Sequence, residues 1–216
     1  MTDADDDAIA SLRLELVASA SISDATEQML EVASIVQELL APLGLRPVVV
    51  GGLALACWLA GDTYLTSDID VVMPWSSEAD LRLRSLGFER EGRFWVLPDR
   101  KQMLEAPESG LRPEADGYDE VGLKSGRSVL VQNPEGVLLI RMEELSGAPH
   151  SEVFEQCLWR LGSGEVDLAE AGRLAGSRGL ERVLKWLLES VDNVESGEQL
   201  PQMWEISEQI EKLTGR

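Results

Sequence analysis

The stretch Val48-Val49-Val50-Gly51-Gly52-Leu53-Ala54, with Asp68-Ile69-Asp70-Val71 downstream, constrains this chain more than any other feature. An apolar run that breaks into two glycines predicts a strand handing over to a helix. Two aspartates separated by one apolar residue then open a second apolar run through Val72 and Met73. Side chains at i and i+2 of a strand share a face. Asp68 and Asp70 are therefore expected to present two carboxylates to one space while Ile69 and Val71 face the core. Taken singly, a Gly-Gly before a helix is a tight turn, and an Asp-x-Asp is a solvated strand edge that discourages pairing. In this order, with a helix between them, they suit a Mg²⁺–triphosphate site.

Hydrophobic-Gly-Gly, a short helix, then Asp-hydrophobic-Asp-hydrophobic resembles the nucleotidyltransferase superfamily related to DNA polymerase beta. The wider context, Gly51-Gly52-Leu53-Ala54 through Thr66-Ser67-Asp68-Ile69-Asp70, is similar to a small bacterial branch that includes AbiEii-type toxins and uncharacterised nucleotidyltransferase-like proteins. The strong match covers about residues 48–73. A weaker one runs to about 145, through Gly87-Phe88 and Asn133-Pro134-Glu135. The resemblance implies that Gly51 and Gly52 let the backbone approach the β- and γ-phosphates. It implies that Asp68 and Asp70 hold one or two Mg²⁺ (or Mn²⁺) ions, hard cations that take carboxylate and phosphate oxygens. It also implies a third carboxylate on a neighbouring strand.

Phe94–Leu97 and Gln102–Glu105 flank Pro98-Asp99-Arg100-Lys101, which reads as a hairpin with turn residues at its tip. Met103 and Glu105 alternate with Leu104, so Glu105 sits where the family often carries an aspartate, and it is the candidate third metal ligand. Glu108 follows a proline and Asp99 lies in the turn, which makes them weaker choices. Relatives commonly carry a basic residue before the Asp-x-Asp, where this chain has Tyr64-Leu65-Thr66-Ser67. Thr66 and Ser67 are accordingly candidate nucleotide contacts. Relatives also place a lysine in the helix after the Asn-Pro-Glu turn. Here Arg141 is the nearest base, and an arginine binds phosphate differently from a lysine.

Charge narrows the partners. With 39 acidic and 19 basic residues in 216, the formal net charge is −20. Such a surface repels nucleic acid and anionic membrane, which speaks against an extended nucleic-acid groove. Residues 82–101 carry Arg82, Arg84, Arg90, Arg93, Arg100 and Lys101 and form the one locally basic stretch. It reads as a solvated helix face, or as a source of one or two residues that meet a triphosphate or an anionic acceptor. No window approaches the ~20 apolar residues of a membrane span. The start, Met1-Thr2-Asp3-Ala4-Asp5-Asp6-Asp7, is acidic where a signal peptide would be basic. Cys57 and Cys157 lie on apolar helical patterns and are expected reduced and buried, which points to the cytoplasm.

The expected fold is α/β (α+β): a nucleotidyltransferase-like core with a short mixed sheet and flanking helices, plus a C-terminal helical bundle. Residues 1–24 form an acidic, partly disordered segment, frayed over about 1–10; residues 25–132 form the core; residues 133–216 form the helical region. Within the core, helix 25–41, strand 47–50, helix 53–60 stopped by Gly61, strand 68–73, helix 77–86 and hairpin 93–106 follow in order. Residues 107–127 read as a loop with a short strand near 120–124, and either a substrate lid or a disordered excursion. Strand 129–131 then leads to a helix capped by Asn133 with Pro134 at its first position. Helices are expected at 135–146, 151–161, 165–176, 178–191 and 200–213, with Trp159, Trp186 and Trp204 filling their core. His150, the sole histidine, reads as a helix-start residue.

The expected function is Mg²⁺-dependent transfer of a nucleoside monophosphate from an NTP to a hydroxyl-bearing acceptor. The alternative is a catalytically inactive relative that binds nucleotide or a protein through the same fold. A tRNA-modifying toxin of a toxin–antitoxin pair and a glycosyltransferase rank below both. A homodimer or a cognate protein partner is left open, as is the acceptor.

Overall fold

The computed structural model describes residues 3–59, 66–99, 102–106 and 117–215. The chain divides into two compact units. The first holds the described residues through Cys57, those from Thr66 to Ala106, and Tyr118–Gln132; the second holds Trp58, Leu59, Gly117 and Asn133 onward.

The first unit is built on a mixed sheet. Its strands are β1 (Val48–Val49), β2 (Asp68–Val72), β3 (Glu89–Glu91), β4 (Phe94–Leu97), β5 (Gln102–Glu105), β6 (Tyr118–Gly122) and β7 (Ser128–Gln132). They lie in the order β3-β4-β5-β2-β1-β7-β6. β1 runs antiparallel to β2 and parallel to β7, and β2 runs parallel to β5. The two antiparallel runs, β3-β4-β5 and β6-β7, complete the two edges.

Its helices are α1 (Asp3–Ser19), α2 (Ala25–Leu40), α3 (Gly51–Cys57) and α4 (Ser77–Leu86). α2 is capped by Asp24, whose carboxylate accepts from Glu27 N at 2.9 Å. Gln102 Nε2 donates to Gln28 Oε1 at 2.9 Å, which places α2 on the sheet face shared by Gln102 and Leu104. Ile69, Val71, Trp95 and Leu104 bury on that face, each at most 1 % exposed. Burial at this level removes most of each side chain from water, at about 25 cal/mol per Å² of apolar surface. The opposite face carries Asp68 and Asp70.

The structure corrects several expectations in this unit. Residues 1–10 are expected to fray, yet α1 begins at Asp3. The physical reason is a buried stripe, Ile9, Leu12 and Leu16, at helical spacing against α2. Ion pairs Arg82–Asp5 and Arg127–Glu15, and the Arg13 Nε bond to Ser85 O at 2.6 Å, hold it further. Within the basic stretch Gly87, at φ +107°, ends α4 where the helix over 77–86 is expected to stop, Phe88 buries behind it, and a strand that the sequence does not predict, β3, follows. α3 starts at Gly51 itself and ends at Cys57, earlier than the helix expected over 53–60; its expected stop, Gly61, lies outside the described residues. Of the expected 107–127 loop, residues 118–122 and the turn into β7 are ordered as a hairpin. Residues 107–116, including Glu108, lie outside the described residues, as do Arg100 and Lys101.

The second unit is helical: α5 (Pro134–Gly147), α6 (Ser151–Gly162), α7 (Leu168–Arg178), α8 (Glu181–Glu195) and α9 (Met203–Thr214). Asn133 Oδ1 accepts from Gly136 N at 2.9 Å, as a cap should. His150 Nδ1 accepts from Glu152 N at 3.2 Å and starts α6. Leu138, Met142, Leu145, Phe154, Cys157, Leu174, Val183, Leu187, Ile206 and Ile210 form the core. Trp186 packs on it, its ring 5.0 Å from that of Phe154. Trp204 does not: it is 65 % exposed, because α9 turns Ile206 and Ile210 inward instead. Trp159 is half-buried, and so is Cys57, where full burial is expected; Cys157 is buried, and neither cysteine forms a disulfide. Burial pushes the Cys157 thiol up to about 12 against the pull of Arg141, which favours the thiolate.

Candidate functional site

β2 sets the geometry. Ile69 and Val71 are drawn into the core, each 1 % exposed, so the intervening Asp68 and Asp70 are forced to the other face and stay half-buried. Their Cα atoms are separated by two strand steps, roughly 6.5–7 Å. The parallel register with β5 pairs Asp68 with Met103 and Asp70 with Glu105. Residues paired across a ladder share a face, so Glu105 joins the two aspartates on one surface. The hairpin β4-β5 continues it with Phe94 opposite Glu105 and Val96 opposite Met103.

Gly51 closes the site from the β1–α3 turn. It takes φ +64°, a conformation glycine adopts without steric penalty. A Cβ built there would collide with Asp70 Oδ2 and lie 3.1 Å from its Cγ and 3.2 Å from its Cβ. The Val50 N–H donates to Asp70 O at 2.9 Å, fixing this turn against β2. Glycine is therefore required twice over, for the backbone conformation and for the approach of the turn to the carboxylate. Gly52 is buried in the first turn of α3.

The remaining sequence candidates fall as follows. Thr66 Oγ1 donates to Asp68 Oδ1 at 2.8 Å and orients that carboxylate. Ser67 is exposed in the bend before β2. Glu105 is 8 % exposed and is held by Arg93, Nε to Oε1 at 3.1 Å. Arg141 belongs to the second unit, where it pairs with Glu144 at 2.6 Å. Asp99 is exposed in the turn after β4. Among the described residues there is no group of three or more His, Cys, Asp and Glu side chains placed to hold one metal ion.

Arg93 is the contact that sequence reasoning does not single out. In the sequence it is one of several bases in a charged stretch, and only the hairpin register brings it beside Glu105. Most of its neighbours are engaged elsewhere. Arg82 pairs with Asp5; Arg84 and Arg90 pair with Asp80, and Arg90 lies 4.7 Å from the Trp95 ring centre and 5.4 Å from that of Trp75.

The donor set is all oxygen, which is the chemistry of a hard divalent cation rather than of zinc or copper. Asp68 and Asp70 on one face, with glycine backbone tight against Asp70, fit a Mg²⁺ ion and the phosphate oxygens that would complete its shell. Among the described residues no helix is long and apolar enough to cross a membrane.

No protein-family model matches the chain, and no curated protein matches it by sequence. Solved structures do match by shape. An antigenic nucleotidyltransferase-like protein from Paracoccidioides brasiliensis aligns over 77 % of this chain and 93 % of its own, with a TM-score of 0.53 at 16 % identity. The antibiotic-resistance factor ANT(2'')-Ia aligns over 81 % of this chain and all of its own (100 %), with a TM-score of 0.49 at 15 % identity. The fold of this chain is that of nucleotidyltransferase-like proteins.

Proposed function

We propose that this chain transfers a nucleoside monophosphate from an NTP to a hydroxyl-bearing acceptor, with a divalent cation, Mg²⁺ or Mn²⁺, at Asp68 and Asp70. The observation that carries the reading is the register of β2 and β5, which sets Asp68, Asp70 and Glu105 on one face beside Gly51. Glu105 is the third carboxylate of that face. The Gly51-Gly52 turn offers backbone N–H groups to the triphosphate, with Thr66 and Ser67 at its margin.

In the transfer, the acceptor oxygen forms a bond to the α-phosphorus while the bond from that phosphorus to the β-bridging oxygen breaks. Pyrophosphate leaves, and the acceptor's proton passes to a carboxylate of this face. When bound, the cation supplies charge neutralisation for the attacking and leaving oxygens. Asp68, oriented by Thr66, and Asp70, fixed by Val50 and Gly51, hold their positions before substrate arrives. Such preorganisation is how a protein lowers the barrier of phosphoryl chemistry.

A second reading, a catalytically silent nucleotide- or protein-binding module, is favoured by one observation: Glu105 is already neutralised by Arg93. The thermal midpoint with each NTP, with and without Mg²⁺, separates the two. Ligand at ~100 times its Kd stabilises the folded state by ~2.7 kcal/mol. The expected result is a Mg²⁺-dependent rise of a few degrees that Asp68→Asn/Asp70→Asn loses while staying folded, followed by pyrophosphate release with a hydroxyl acceptor. A double variant with full transfer activity would sink the catalytic assignment. A shift without pyrophosphate release would leave a silent nucleotide-binding module, and no shift with any nucleotide a protein-binding one.

A further inference from the structure

We propose that Arg93 is a placeholder cation: it neutralises Glu105 while the metal is absent, and moves to the triphosphate when metal and nucleotide bind. The inference rests on the nucleotidyltransferase reading above.

The pair is lopsided. The Glu105 side chain is 11 % exposed and the Arg93 side chain 74 %. A carboxylate that is mostly out of water needs a positive partner, whereas an exposed guanidinium does not. Glu105 thus requires a cation on its open side, and among the described residues there are two ways to supply one. Arg93 does so in this structure. A divalent ion on the Asp68–Asp70 face would do so in its place, since Glu105 lies beside Asp70 in the ladder.

Arg93 is built to leave. It follows Gly92, at φ +63°, in the exposed turn between β3 and β4, so its departure uncovers no core. What it gives up besides Glu105 is a stacking contact, its guanidinium carbon 4.8 Å from the centre of the half-buried Phe94 ring. The same side chain that reaches Glu105 can reach phosphate oxygens bound by the neighbouring carboxylates, and a guanidinium grips phosphate through two parallel hydrogen bonds. The chain has no base in the four residues before Asp68, Tyr64-Leu65-Thr66-Ser67. Arg93 would supply that charge from the turn between β3 and β4.

The test is Mn²⁺ binding, read by loss of the free-ion electron paramagnetic resonance signal, on wild type, Arg93→Gln, Glu105→Gln and the double variant, beside Mg·ATP and Mg·GTP binding by calorimetry. Without nucleotide, Arg93→Gln is expected to bind Mn²⁺ more tightly than wild type, because the competing cation is gone. The same substitution is expected to weaken Mg·NTP by about tenfold or more, the loss of a charge-assisted phosphate contact. In the Glu105→Gln background, Arg93→Gln is expected to leave Mn²⁺ affinity unchanged. If wild type binds Mn²⁺ and NTP but Arg93→Gln binds Mn²⁺ no tighter, the placeholder role is overturned while the site reading stands. If wild type binds neither, both fall together. Arg93 is exposed, so circular dichroism of each variant is expected to match wild type.

Discussion

Replacing Gly51 with alanine isolates what the glycine turn does for Asp70. The left-handed conformation at φ +64° costs a residue with a Cβ about 1–2 kcal/mol. A second penalty follows from the contact: the new Cβ would sit 3.1 Å from Asp70 Cγ and 3.2 Å from Asp70 Cβ, so the carboxylate must rotate and strand β2 must shift slightly. Overpacking of that kind costs about 1–3 kcal/mol. Gly44 is the control, because it has φ +71° and an alanine Cβ there would meet nothing within 4 Å. Gly44→Ala should lower stability by the backbone penalty, about 1–2 kcal/mol, and Gly51→Ala by about 2–5 kcal/mol. For a chain of this length that difference is a few degrees in Tm, within reach of calorimetry. Removing the obstructing atoms with Asp70→Ala should relieve part of the loss, giving a coupling of about 0.5 kcal/mol or more in a double-mutant cycle. Equal losses at positions 44 and 51, or a coupling indistinguishable from zero, would refute the claim that this glycine is needed for Asp70.

The remaining predictions concern the second unit. Arg160 has a side chain with 0 % exposure, and its guanidinium bonds Trp58 O, Ser163 Oγ and Glu165. Arg160→Met should remove the three hydrogen bonds of a fully buried guanidinium and cost about 1–3 kcal/mol, read from the urea midpoint; a change within the roughly ±0.5 kcal/mol of ordinary surface substitutions would contradict that. Cys157 is held protonated by burial, its pKa pushed up to about 12 from 9.0. The unfolded chain loses this proton first, so the contribution of the thiol is intact below pH 9 and stability declines as pH rises from 9 toward 12. In a Cys57→Ser background, Cys157 should resist iodoacetamide at about pH 8, where a free thiol of ordinary pKa reacts, until denaturant is added; rapid native labelling would show that the thiol is not enclosed.

Local chemistry made much of this fold legible. Asn133-Pro134 starts α5 because a side-chain acceptor and a missing N–H are both local properties of a helix start. Asp68-Ile69-Asp70 faces as expected because strand alternation leaves no other choice once Ile69 is buried. The hairpin alternation that nominates Glu105 likewise survives in the register with β2. What stayed hidden depends on distant partners. α1 is secured by Arg82 and Arg127, far along the chain, so its acidic sequence alone resembles a frayed end. Arg93 becomes distinct from Arg84 or Arg90 only when β3, β4 and β5 pair. Trp204 shows the converse: helical periodicity locates a stripe, but Ile206 and Ile210 take the inward side and leave the ring in water.

The position of β1 also bears on how the chain is made. Val48 and Val49 pair with β2, close by in sequence, and Val49 pairs with Val131 on β7, which leaves the ribosome much later. Everything on the carboxylate face, from Gly51 to Glu105, is therefore synthesised while one margin of β1 still lacks its partner. Long-range parallel pairing of this sort is slow, and an open strand margin invites pairing with other chains. Until β7 emerges, the nascent protein carries a nearly complete acidic face beside an unsatisfied Val-Val margin, and that interval is when it most needs protection from aggregation.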